Sequence, residues 1–363
     1  MPQPDATASR MTRIRLFLRQ VEQARRHYRA PRLATHLRAL VLHHRAKFSM
    51  QEMWAWGLLD PALDAEALQR YVSKRRFLRF QASLSPKMHA VLVEDKEVFY
   101  RFCEAIALPV PQTIAFLSRT SVWFAHGHEA DTVARLQARL HQLEGIELII
   151  KPADGVYGIG VRALRVRDGG FVEDGRALSL ADLMRELPTD TRQVLQHRLA
   201  NHPTVAALTG FRTLQTVRVV TALPPRPGAR AQLLSAALRL SGSDSVVNNF
   251  DFGSTGTVRA TIDLDTGCIV DAVRAAPSGF GLEPVERIDG TGAVLAGTQL
   301  PHWAQLKYMM ETKATCFYPI RLVGWDLALT PTGAVVLEGN FWFDPGNATA
   351  VARDCIERCI AMT

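Results

Sequence analysis

The sequence is poor in the features that mark several protein classes. Its five cysteines, Cys103, Cys268, Cys316, Cys355 and Cys359, are odd in number and contain no Cys-X-X-Cys pair. Neither a disulfide framework nor a cysteine zinc site is built that way. Cys355 and Cys359, four apart on an expected terminal helix, read instead as two small residues buried on one face. No stretch approaches the roughly 18 apolar residues of a membrane span. Residues 1–10 are polar and lack the apolar core and small-residue cleavage site of a secretory signal. The expected compartment is therefore the cytoplasm. No repeat of fixed period, low-complexity segment, or Ser-His-Asp or Cys-His set suited to nucleophilic catalysis is present.

What is present is an ordinary globular composition, 47% hydrophobic and 21% charged, enough for a large core or two. Charge is unevenly placed. Lys and Arg number 43 against 35 Asp and Glu, a net of +8. Residues 1–90 hold 17 basic and 6 acidic side chains (+11), which leaves 26 and 29 (−3) for residues 91–363. A basic head thus precedes a mildly acidic body. Arg25, Arg26, Arg29, Arg32 and Arg38, with Lys74, Arg75, Arg76 and Arg79, make the head a candidate for binding nucleic acid or an anionic membrane surface. Basic helices are more often solvated, or docked on the protein's own acidic body. That reading is preferred, with the head outside any nucleotide site and nucleic acid not the expected partner.

Ile14, Leu16, Leu18 and Val21, then Leu33, Leu37, Leu40 and Leu42, predict two helices within residues 11–50, split at Pro31. A third, short helix is expected over 61–71. From about residue 83 the pattern is mixed. Helices are expected over 95–107, 131–143, 178–187, 303–317 and 349–362. Strands are expected over 113–117, 146–151, 160–166, 193–199, 214–221, 232–240, 257–263, 321–330 and 334–340. The body is α+β and mostly antiparallel, not a doubly wound nucleotide fold.

Two motifs carry chemistry. The first is Lys151-Pro-Ala-Asp-Gly155-Val-Tyr-Gly158-Ile-Gly160. Glycines at this density let backbone N–H groups approach an anion. No Gly-Lys-Ser/Thr follows, as a Walker A loop would require. The glycines also lead into a strand, where a dinucleotide fingerprint requires a helix. Glycines alone would mean a loose turn, but a lysine ending a very apolar strand beside them favours phosphate.

The second motif is Gly324-Trp-Asp326 and Leu-Glu338-Gly-Asn340, joined through Thr330-Pro-Thr-Gly333. If Thr330 pairs with Ala334, Asp326 lies across from Glu338 and Gly324 across from Asn340. Glu338 and Asn340, two apart, then share a face. Opposed like charges destabilise a strand pair, so a positive group is expected there, with Mg²⁺ and bound phosphate the natural candidate. Val335, Val336 and Leu337 suggest a strand buried on both faces, which argues against two solvated acids at its end.

The order of these motifs resembles the ATP-grasp superfamily. Glu-Asp-Lys96 before a helix, then Leu-Pro-Val-Pro-Gln-Thr, looks like that superfamily's first nucleotide lysine and following strand. Val247-Asn248-Asn249 with Gly253, Val323-Gly324-Trp325-Asp326 and Leu337-Glu338-Gly339-Asn340 are similar to its sugar-transfer-associated, or alpha-L-glutamate-ligase-related, branch. The similarity runs over roughly residues 84–359. It implies two α+β subdomains, 83–195 and 196–363, clasping ATP behind a basic helical segment, 1–82. It implies Lys96 and Lys151 near the α- and β-phosphates, with Gly155, Gly158 and Gly160 closing over them. Adenine would lie along residues 196–199, with Gln196, His197 and Leu199 as contacts. Asp326, Glu338 and Asn340 would carry Mg²⁺ (or Mn²⁺), and Arg218 would face the phosphates as the catalytic residue. Read without the resemblance, Arg218 is a buried arginine needing an anion, which a salt bridge to Asp or Glu would also supply.

Two departures stand out. Asn201-His202-Pro203 occupies the region where related ligases place an acidic ribose ligand, and the basic helices replace the usual substrate domain. The implied activity is a carboxylate–amine ligase working through an acyl phosphate on small-molecule substrates. A kinase of a sugar or similar metabolite would use the same residues. His302, Trp303, Phe341, Trp342 and Asp344 are candidates for the acceptor pocket, with core aromatics an equal reading.

Overall fold

The computed structural model describes residues 10–125, 132–155, 158–244, 256–344 and 349–362. Val247, Asn248, Asn249 and Gly253 lie outside the described residues. The N-terminal part comprises α1 (Arg10–His27), α2 (Arg32–His44), α3 (Met50–Ala55), α4 (Ala65–Gln69) and α5 (Lys74–Leu84). Pro31 separates α1 from α2, standing in extended conformation as the N-cap of α2, where its missing N–H costs nothing.

The two helices form as the periodicity predicts, but they bury only part of the expected stripe. Ile14, Leu18, Leu33, Leu37 and Leu40 are exposed. Val21 and Leu42 of that stripe, joined by Ala24 and Ala39, pack with Phe48, Met53, Trp56, Leu58 and Leu59. The bulky residues after α2 fill this small core, so small helix residues suffice against them.

The body continues with α6 (Val91–Glu94), α7 (Lys96–Ala105), β1 (Thr113–Leu117), β2 (Val122–Trp123), α8 (Thr132–Gln142), β3 (Glu147–Pro152) and β4 (Arg162–Arg167). Then come β5 (Gly170–Glu173), β6 (Arg176–Leu178), α9 (Leu180–Glu186), β7 (Gln193–His197), α10 (Pro203–Thr209), β8 (Thr216–Ala222) and β9 (Gln232–Leu240). The chain closes with β10 (Val258–Ile262), β11 (Ile269–Ala275), β12 (Leu282–Pro284), α11 (Trp303–Lys313), β13 (Leu322–Thr330), β14 (Gly333–Asn340) and α12 (Thr349–Ala361). Helices α3, α5, α6 and α10 and strands β2, β5, β6, β11 and β12 have no counterpart among the expected elements. Each is short or largely polar, so its hydrophobic period is weak.

Among the described residues the strands form two seven-stranded sheets, ordered β2-β1-β7-β3-β4-β5-β6 and β12-β11-β10-β9-β8-β13-β14. Every recorded pairing is antiparallel. Helix α7 bridges the two. Its Phe99 packs on Phe317 and Trp325 beneath the second sheet. Its N-terminus is tied to the first sheet, where Arg192 binds both Asp95 and Glu97. Cys355 and Cys359 are both buried in one cluster on α12.

The β13–β14 hairpin places Gly324 opposite Asn340 and Asp326 opposite Glu338, as the pairing argument predicts. Near the turn the register differs by one: Thr330 pairs with Gly333, and a bulge between Asp326 and Leu327 absorbs the surplus residue at Leu337. The strand buried on both faces is β13, whose nine positions are all buried, while β14 forms the sheet edge. Gly324 and Gly339 flank the acids because no side chain fits there. A Cβ on Gly324 would lie 2.9 Å from the Phe343 ring, and one on Gly339 would lie 3.0 Å from Val93 Cβ. Gly324→Ala is expected to destabilise the protein by about 1–3 kcal/mol, read from the midpoint of urea unfolding. An unchanged midpoint would contradict this packing.

Candidate active site

A cavity of about 2220 Å³ lies between the sheets. Lys96, Lys151, Gly155, Gly158, Gln196 and Leu199 line it from the first sheet and α7, and Arg218, Asp326, Glu338 and Asn340 line it from the second. Residues from opposite ends of the sequence thus meet in one space. Gly160 and His197 do not line it. Gly160 takes φ of +79° and packs against Pro152, and the His197 amide donates to the Gln112 carbonyl.

Lys96 is the first residue of α7, after the N-cap Asp95, whose carboxylate accepts from the amides of Glu97 and Val98. It is buried at 6% exposure. Its Nζ donates to the Gly155 carbonyl at 2.8 Å and pairs with Glu338 Oε2 at 3.3 Å. The same ammonium therefore touches the glycine loop and the acidic hairpin.

Lys151 Nζ donates to the Tyr100 hydroxyl at 2.7 Å. That hydroxyl lies 2.8 Å from the Leu337 carbonyl, to which it donates, and 3.2 Å from Gln196 Oε1. Burial lowers the Lys151 ammonium to about 7, with repulsion from Lys96 acting the same way and Glu338 opposing both.

Across the cavity, Arg218 makes a bidentate pair with Asp326, Nε to Oδ1 at 2.6 Å and Nη2 to Oδ2 at 2.8 Å. Arg239 Nη1 adds a third contact at 3.2 Å. Burial alone would raise the Asp326 carboxyl, but the two guanidinium groups outweigh it and hold it well below the usual carboxylate range. Glu338 lies directly across the hairpin from Asp326. The positive groups demanded by two opposed acids are thus supplied in part by the chain's own arginines.

Sequence reasoning missed Tyr100 and Arg239. Tyr100 reads as an ordinary core aromatic, and only its place four residues after Lys96, on the same helix face, hints otherwise. Arg239, like Arg218, interrupts an otherwise apolar strand, a signal that was available. Among the acceptor-pocket candidates, Trp342 and Asp344 line the cavity. Trp303 and Phe341 are core residues, and His302 stands near His202 away from the cavity. Asn201 braces the backbone, donating to the Thr213 carbonyl and accepting from the Gln215 amide, both at 2.8 Å. His43, Lys47, Lys74, Arg75 and Arg79 of the basic head also line this cavity.

The residues fit a hard cation. Asn340 Nδ2 donates to the Gly324 carbonyl at 3.1 Å, which leaves its amide oxygen for another partner. With the Glu338 carboxylate this makes a small oxygen donor set. Among the described residues no group of three His, Cys, Asp or Glu could hold a metal alone. Mg²⁺ is commonly held by one or two carboxylates together with substrate phosphates, and that is the arrangement these donors suit.

A phosphate beside Lys151 favours its charged form. If a nucleotide phosphate sits there, the amine that is free above pH 7 must take up a proton on binding, and affinity falls as pH rises. Calorimetry with ADP at pH 8, in buffers of different ionisation enthalpy, should report net proton uptake that Lys151→Met removes. Zero uptake by the unaltered protein would contradict the lowered lysine.

The family model described as sugar-transfer associated ATP-grasp matches residues 75–350. No curated protein sequence matches the chain. Solved structures include the ATP-grasp ligase PsnB complexed with minimal precursor, at 16% identity over 77% of this chain and 64% of that chain, with a TM-score of 0.40. The chain thus spans less than two thirds of PsnB. The D-cycloserine synthetase DcsG is 15% identical over 79% of each chain, with a TM-score of 0.39. D-alanine–D-alanine ligase from Bacillus anthracis, complexed with ATP, is 13% identical over 77% of this chain and 67% of that chain, with a TM-score of 0.37. With its family model covering most of its length, two antiparallel sheets and helices before them, the chain belongs to the sugar-transfer-associated ATP-grasp family.

Proposed function

We propose that the protein is an ATP- and Mg²⁺-dependent ligase that joins a small-molecule carboxylate to an amine through an acyl phosphate. The observation that carries this reading is the charge on the cavity floor. Lys96, Lys151, Arg218 and Arg239 meet the carboxylates of Asp326 and Glu338 beside a glycine loop. The surplus is cationic, as a polyphosphate and the charge developing during its transfer would require.

In this reading adenine lies along residues 196–199, against Leu199, and Gly155 and Gly158 let the loop backbone approach the phosphates. Lys96 and Lys151 neutralise phosphate charge. Mg²⁺, held by Glu338 and Asn340 with Asp326 beside them, would supply Lewis-acid neutralisation of phosphate oxygens. An oxygen of the acceptor carboxylate attacks the γ-phosphorus, and the bond to the β-phosphate oxygen breaks to release ADP. The amine nitrogen then adds to the acyl carbon, and phosphate leaves as the nitrogen loses a proton. Arg218 and Arg239 are already fixed by Asp326, so their charge needs little reorganisation as the reaction proceeds. No protein nucleophile is required. A cytoplasmic setting would supply the nucleotide.

Incubation with ATP, Mg²⁺ and pools of acids and amines should release ADP and inorganic phosphate in equal amounts. Glu338→Ala should lower turnover by about 100-fold or more. Turnover unchanged in that variant would sink the assignment. Phosphate retained on the acceptor would mark a kinase instead.

A further inference from the structure

The ligase reading leaves one buried cation unused. Arg259 on β10 lies directly opposite Arg239 on β9. It is 8% exposed and lines the cavity, yet its Nη1 has no hydrogen-bond partner among the described residues. Arg218 and Arg239 each touch Asp326. Among the described residues no carboxylate pairs with Arg259, although Asp271 and Asp344 act on it electrostatically. Asp344 is itself paired with Lys74 at 3.5 Å. Burial, reinforced by Arg239, lowers Arg259 to about 10, so it stays charged at neutral pH. Burying a guanidinium beside a second one, without an anion, is unfavourable. A fold that keeps it there gains something when an anion arrives.

Register fixes where that anion would sit. Arg218 lies across from Asp326, and Thr216, Arg239 and Arg259 oppose one another two residues along. Directly opposed residues and residues two apart share a sheet face, so the three arginines project to the cavity side. Arg218 and Arg259 are two strands apart and offset by two residues, about 12 Å in all, and long side chains can converge from there on one small molecule. Farther out, Lys74, Arg75 and Arg79 of α5 line the same cavity, which favours entry of an anionic ligand over a neutral one.

We infer that Arg259 holds a second, non-reacting carboxylate of the acceptor, so that the acceptor class is a dicarboxylate or larger polyacid. The identity of the reacting end, beside Arg218, rests on the ligase reading; the anion site itself does not. Arg259 is in this account a specificity-determining residue that touches substrate away from the reacting atoms.

The test is binding, measured calorimetrically on the full chain loaded with a non-hydrolysable ATP analogue and Mg²⁺. The probes are α,ω-dicarboxylates from succinate to pimelate, each against its own monoamide. At least one diacid should bind about tenfold more tightly than its monoamide, a difference of about 1.4 kcal/mol. Arg259→Met should abolish that preference without changing affinity for the nucleotide analogue, and Arg259→Lys should retain part of it. The ligand-free melting midpoint of Arg259→Met should be equal or higher, because an unpartnered buried charge has been removed. Absence of diacid binding, equal affinity for acid and monoamide, or a preference surviving Arg259→Met would overturn the inference. A lowered midpoint would make Arg259 a structural brace and overturn it too. Diacid preference without ADP release from any acid would remove the ligase reading and leave the anion site standing. ADP release from monocarboxylates with no diacid preference would do the reverse.

Discussion

Two carboxylates face each other across adjacent strands, and the surroundings of Asp326 and Glu338 follow from the cost of keeping them there. Each needs positive charge at close range. Arg218 and Arg239 reach Asp326 from two neighbouring strands, and Lys96 reaches Glu338 from a helix that packs against both sheets. Glycines on either side of the acids keep side chains out, so that Phe343 and Val93 can close over the hairpin. The cavity inherits its cationic floor from these pairs, because each neutralising group is a multivalent donor with capacity left over.

Much of this was legible in the chain. Strands at 113–117 and 232–240 and the start of the last helix appear where hydrophobic alternation and spacing put them. The opposition of Asp326 and Glu338 followed from pairing arithmetic on one turn. What could not be read depended on tertiary choice. In α1 and α2 most of the expected stripe faces outward, while Ala24 and Ala39 join Val21 and Leu42 inside, against Phe48, Met53 and Trp56. Lys96 reads as a surface lysine until Gly155 and Glu338, 59 and 242 residues away, are brought to it. Arg259 reads as an ordinary strand arginine until its neighbour across the ladder turns out to be another arginine.

The basic head changes meaning in three dimensions. Part of its charge lines the cavity, since α5 brings Lys74, Arg75 and Arg79 to it. Phe77 of the same helix is fully buried among Val220, Leu322 and Phe343, so the helix is anchored on the second sheet. A helix of the N-terminal segment thereby contributes a cationic wall to the cavity.

The bulge in β14 gives the hairpin a choice between two closures. The surplus residue could sit in the turn, with Thr330 against Ala334, or at Leu337, and the acids would oppose each other either way. The closures differ in what lies between, because moving the surplus exchanges the faces of Ala334, Val335 and Val336. The observed closure buries Val336 completely and frees the Leu337 carbonyl to receive the Tyr100 hydroxyl. Hydrophobic packing, rather than the acids, therefore selects between two otherwise equivalent hairpins. Variation in the turn residues is filtered by the core beneath them before it can reach the charged site.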